Sequence, residues 1–62
     1  MRRIQITWVE IATGNRAPFL CQDETITTQC TPEMCRIVAI QSAETHGIDT
    51  NRYTAIAREE PQ

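Results

Sequence analysis

Apolar and polar residues alternate at the start of the chain, and this alternation predicts a β-strand over residues 2–11. Ile4, Ile6 and Trp8 would share one face of it. A two-residue period with β-branched and aromatic residues is typical of a half-buried strand. Gly14 follows as a turn signal, so the strand is expected to end before it.

Two further segments also favour extended structure. Residues 24–29 are rich in threonine and isoleucine and predict a second strand. Residues 52–59 predict a last strand, with Tyr53, Ala55 and Ala57 on one face.

The segment between these strands carries start and stop signals of a helix, which we place at about 32–46. Thr31 is a suitable N-cap, and Pro32 fits the first helical position. Gly47 suits the left-handed position after a helix, and Ile48 can pack back on the last turn. The caps, more than the imperfect apolar stripe, predict this helix.

The element order is therefore ββαβ, and the fold class is α+β, with one helix packed on a short antiparallel sheet. We expect residues 1–62 to form a single small domain with a polar tail at 60–62. The sequence leaves the strand order open. The predicted core consists of Ile4, Ile6, Trp8, Ile26, Met34, Ile37, Val38, Ile48 and Tyr53.

The charge pattern gives no support to nucleic-acid binding. The net charge is −2, and the chain has six arginines and no lysine, without a basic stripe. Nucleic-acid binding through four of these arginines stays a weaker alternative: Arg2, Arg3, Arg16 and Arg52. No apolar run is long enough for a membrane span, and the first residues lack the apolar stretch of a signal peptide. We therefore expect a cytoplasmic protein.

Candidate metal ligands cluster in the middle of the chain. Cys21, Cys30, Cys35 and His46 are separated by eight, four and ten residues. Three cysteines and a histidine are a known set for structural zinc, and a metal would help so small a core. The spacing is less specific than the composition, since ligand pairs in such sites are usually closer in sequence.

The predicted helix raises an objection to His46 as the fourth ligand. Cys35 and His46 are eleven positions apart, which is roughly 16 Å along a helix axis. The alternatives are Asp23, Glu24, Glu33, a water molecule or a group from a second chain. Ordinary buried or semi-exposed thiols, or a disulfide or redox role, also remain open.

No catalytic set can be assembled around the single histidine, so we do not expect an enzyme. Four segments, ITWVEI, GNRAPFLC, MCR and HGIDTNRY, resemble the short, uncharacterised proteins of lambdoid prophages of enteric bacteria, of the Rac and Gifsy prophage type. At least one member of that family is described as zinc-binding. The resemblance implies a cytoplasmic accessory protein with zinc on Cys21, Cys30 and Cys35.

Together these observations predict a zinc-stabilised, non-enzymatic module that binds a protein partner. A metal-free α+β interaction or inhibitor module is the alternative.

Overall fold

The chain folds as three strands and one helix in the order ββαβ, as the sequence predicts. The computed structural model describes residues 1–17, 20 and 23–61. Strand β1 spans Arg2–Glu10, β2 spans Glu24–Thr28, helix α1 spans Pro32–Thr45 and β3 spans Tyr53–Glu59. Each of the four predicted elements is confirmed to within two residues at its ends.

The three strands form one antiparallel sheet in the order β2-β1-β3, so β1 is central and both other strands are edges. Ile4 lies opposite Ile26 on β2, and Trp8 lies opposite Ala55 on β3. Beyond β3, the Glu60 amide donates to the carbonyl of Arg3 at 2.8 Å. The ladder therefore continues into the first residue of the expected polar tail.

The predicted caps explain where α1 begins and ends. The Thr31 hydroxyl accepts from the Met34 amide at 3.3 Å. At the other end Gly47 has φ +87°, and the Ile48 amide donates to the Ala43 carbonyl at 3.0 Å. This is the geometry of a Schellman motif, in which a left-handed residue lets the chain turn back and satisfy the last carbonyls.

The core lies between α1 and one face of the sheet. Ile4, Ile6, Trp8 and Tyr53 are buried there as predicted, and Ile26 and Ile48 pack against them at its margin. Trp8 is thus a core residue. Ala17 and Ala55 are nearly or completely buried but are missing from the predicted core.

The prediction was wrong for the helix. Met34, Ile37 and Val38 were expected in the core, but they are 51%, 39% and 58% exposed. The buried side of α1 carries Cys35 and Ala43 instead. These small side chains pack with the small Ala55 of β3. Small residues on both surfaces let a helix approach a sheet closely, so the larger apolar residues are left on the flank and top of α1.

The helix covers only part of the sheet. It lies over β3 and reaches β1, whereas no Cα of α1 comes within 8 Å of a Cα of β2. Both elements lie entirely within the described residues. On the helix side of the sheet, β2 therefore borders an open groove and not the helix itself.

Candidate binding groove between the helix and the second strand

An apolar groove of about 340 Å³ runs between α1 and β2. Ile6 and Ile26 of the sheet line one side of this α1–β2 groove, and Met34 and Val38 line the other. Glu24 lies along it and has no ion-pair partner among the described residues. The groove thus combines an apolar lining with one available carboxylate. The complete lining is Ile6, Glu24, Ile26, Thr28, Cys30, Met34, Cys35, Val38, Ala39 and Ser42.

A second depression of about 290 Å³ adjoins the α1–β2 groove. The two share Ile6, Glu24, Ala39 and Ser42, so the surface beside the helix is continuous. Trp8 and His46 line the second depression. The described surface therefore offers an extended trough along α1.

Two of the predicted metal ligands line the same groove. Cys30 is exposed and Cys35 is buried, and both are free thiols. The Cys30 amide donates to the Thr28 hydroxyl at 3.1 Å, which fixes the turn between β2 and α1. Cys21 lies outside the described residues. Zinc on the three cysteines therefore stays a prediction.

His46 lies at the other end of the helix from the two cysteines. Because α1 is unbroken from Pro32 to Thr45, Cys35 and His46 are separated by roughly 16 Å along its axis. That distance is too large for two ligands of one zinc ion. The Nδ1 atom of His46 lies 2.7 Å from the Ser42 carbonyl oxygen. A carbonyl only accepts, so Nδ1 carries the proton and the ring caps the helix end.

No cluster of three or more histidine, cysteine or acidic side chains in metal-binding geometry occurs within residues 1–17, 20 and 23–61. Two of the three acidic alternatives for a fourth ligand form ion pairs. Asp23 forms an ion pair with Arg16, and Glu33 pairs with Arg36 at 3.4 Å. Glu24, on the groove itself, is the only one of the three without an ion pair in the described part of the chain.

Each arginine of the nucleic-acid alternative faces a carboxylate. Arg2 pairs with Glu59 at 3.4 Å and Arg52 with Glu10 at 3.3 Å. Arg3 pairs with Glu60, and Arg16 with Asp23. These pairs leave little positive charge for a phosphate backbone. They are at least partly open to solvent, so each contributes at most about 1 kcal/mol to stability.

Sequence reasoning grouped Met34, Ile37 and Val38 correctly on one side of the helix but assigned that side to the core. It offered Glu24 only as an alternative zinc ligand, and it did not identify Ala39 as part of a site. The sequence does carry a signal for the packed side of α1. Small residues recur there every four positions, at Cys35, Ala39 and Ala43.

Comparisons of the chain with protein-family models, with curated proteins and with solved structures found no match. The resemblance to prophage proteins therefore stays a prediction. The helix in the described part of the chain is neither long nor apolar enough to cross a lipid bilayer.

Proposed function

We propose that the protein is a non-enzymatic binding module that takes an apolar side chain of a partner protein into the α1–β2 groove. The observation that supports this most is the exposure of Met34 and Val38, which are 51% and 58% accessible beside the groove. A contiguous apolar surface on a small domain often marks an interaction site. A domain of this size would gain stability by burying those side chains in its own core.

The partner segment is expected to carry a basic residue beside its apolar anchor. Glu24 lines the groove without an ion pair among the described residues. A lysine or arginine next to the anchor would pair with that carboxylate and fix the orientation of the segment. Complementary charges of this kind contribute more to specificity and association rate than to affinity.

Selection from a random-peptide display library, followed by fluorescence anisotropy on the selected peptides, tests this function. Met34→Ser with Val38→Ser removes the apolar wall of the groove and should weaken peptide binding by roughly tenfold or more. Glu24→Gln should cost less and should act mainly on peptides that contain a basic residue.

Ile56→Ser is the matched control, because Ile56 is 47% exposed but lies on the opposite face of the sheet. It should leave peptide affinity unchanged. Equal losses in the groove and control variants would mean that binding is not located in the groove. Failure to enrich any peptide would count against the proposed function.

A further inference from the structure

The two edges of the sheet differ in how their backbone groups are satisfied. On β3, the Tyr53 amide donates to the Asp49 carbonyl at 3.0 Å, and Arg36 Nε donates to the Ala55 carbonyl at 3.1 Å. A turn and a side chain therefore occupy part of the outer edge of β3.

The direction of the backbone groups on β2 follows from contacts of β1. The carbonyl of Arg3 accepts from Glu60, beyond β3, whereas the carbonyl of Trp8 accepts from Ala17 on the other side. The even-numbered residues of β1 therefore direct their N–H and C=O groups toward β2. Ile4 forms a hydrogen-bonded pair with the facing Ile26.

Because direction alternates along a strand, Thr25 and Thr27 direct their backbone groups away from the sheet. Neither residue has a backbone hydrogen bond to a partner in the part of the chain that the structure describes. Strand β2 contains neither lysine nor proline, the residues that commonly protect an edge strand, and Glu24 is its only charged residue.

We propose that β2 pairs antiparallel with β2 of a second copy of this chain, about a two-fold axis through Ile26. In this register Thr25 of each copy lies opposite Thr27 of the second copy. Each of these two pairs exchanges two hydrogen bonds. Together the pairs satisfy the N–H and C=O groups of Thr25 and Thr27 in both copies. The sheet becomes six-stranded, in the order β3-β1-β2-β2-β1-β3.

The side chains fit this register. Ile26 lies opposite Ile26 of the second copy in a non-hydrogen-bonded pair, where Cα atoms approach to about 4.5 Å and side chains are closest. Glu24 lies opposite Thr28 of the second copy, so no carboxylate faces another. An axis through Thr25 would place Glu24 opposite Ile26, and an axis through Thr27 would leave Ile26 opposite Thr28.

The pairing goes beyond the proposed function and does not depend on it. Both helices lie on the same face of the joined sheet, because the two-fold axis is perpendicular to it. The two α1–β2 grooves then adjoin each other across the paired Ile26 side chains.

Sedimentation velocity of the full chain, in reductant and up to millimolar concentration, tests the pairing. Thr25 and Thr27 are exposed on the open face of the sheet, so charged side chains are tolerated there by the fold. Thr25→Lys with Thr27→Lys places lysine opposite lysine in both pairs and should weaken dimerisation by roughly tenfold. Thr25→Lys with Thr27→Glu places lysine opposite glutamate and should restore or strengthen the dimer.

A wild-type chain that stays monomeric at millimolar concentration would overturn the proposal. Equal weakening in both double variants would overturn the register, since an axis through Thr27 brings its glutamates together. If the chain is monomeric and a selected peptide protects the Thr25 and Thr27 amides from hydrogen exchange, the edge takes a partner strand and the second copy is excluded. Peptide binding that depends on Met34 and Val38 can hold in either case, so the two proposals fail separately.

Discussion

The helix covers the two sides of the central strand β1 unequally, although a single short edge strand lies on each side. On the β3 side, α1 packs over the strand through small residues, and Ala55 is completely buried. On the β2 side the helix is out of reach, and Ile26 is only partly covered. The β3 side therefore belongs to the core, whereas the β2 side borders a surface groove that is lined by apolar side chains.

This difference follows from side-chain size. Cys35 and Ala43 on α1 and Ala55 on β3 allow close packing on one side. One helix is about 10–12 Å across and neighbouring strands are about 4.8 Å apart, so α1, centred over β3 and β1, does not reach β2. The larger Met34 and Val38 then border the gap. Substitutions on the two sides should accordingly have unequal effects on stability and on binding.

The largest expected effect on stability is on the packed side. Ala55→Leu adds three carbon atoms at a fully buried position under α1. Overpacking of this kind should lower the free energy of unfolding by about 1–3 kcal/mol or more. Urea denaturation followed by circular dichroism measures it.

Ile56→Leu is the control for that substitution, because it introduces the same side chain at the next position. Ile56 lies on the open face and is 47% exposed, so the change should be within about 0.5 kcal/mol. Similar losses in both variants would show that β3 is not packed under the helix as described.

The sequence predicted the elements well because their signals are local. Thr31 and Gly47 determine the ends of the helix through contacts within a few residues, and the alternation in β1 reports directly on its buried face. Whether Val38 faces a core or a groove depends on how far the helix extends over the sheet. That depends on contacts between residues distant in the chain, which a helical period does not encode.

The candidate site was predictable only in part for the same reason. Two of the four predicted metal ligands, Cys30 and Cys35, line one groove. The participation of Ile26 and Glu24 depends on strand order, which the sequence left open. The exclusion of His46 from a site with Cys35 required only the length of an unbroken helix.

The two described cysteines allow the next test, at the boundary between packed and open sides. Cys35 is buried in the core cluster, whereas Cys30 is exposed. Cys35→Ser places a hydroxyl in an apolar site and should cost about 1–3 kcal/mol of unfolding free energy. Cys30→Ser should change it by less than about 0.5 kcal/mol.

These two variants also examine the predicted zinc site. If Cys21, Cys30 and Cys35 hold zinc, both substitutions should destabilise strongly, and chelation of the wild type should reproduce the loss. Native mass spectrometry of protein purified without chelator would then show one additional zinc ion. A large difference between the variants, unchanged by chelator, would assign Cys35 to packing alone.

A smaller effect is expected where Arg36 covers the β3 edge. Its Nε donates to the Ala55 carbonyl at 3.1 Å, and its guanidinium pairs with Glu33. Arg36→Ala should lower the free energy of unfolding by about 0.5–1.5 kcal/mol, mainly through the lost hydrogen bond. Thermal melting measures this, with Arg58→Ala as control, because Arg58 has no ion pair among the described residues.

Arg36→Ala also makes the two edges more alike. With the Ala55 carbonyl uncovered, the outer edge of β3 should gain in its tendency to associate. Sedimentation of Arg36→Ala combined with Thr25→Lys and Thr27→Lys isolates that contribution. If the triple variant is as monomeric as the double variant, the Arg36 contact is not what protects β3.

The smallest expected effect concerns nucleic acid. Ion pairs occupy both sides of the molecule, with Arg16–Asp23 before β2 and Arg2–Glu59 at the end of β3. The difference between the two sides is therefore in apolar surface and not in charge. Labelled single-stranded and duplex DNA and RNA should show no change in anisotropy at low salt. Binding that falls steeply with salt, and that is lost with Arg2→Ala and Arg3→Ala, would contradict this. It would mean that these exposed ion pairs open readily in favour of phosphate contacts.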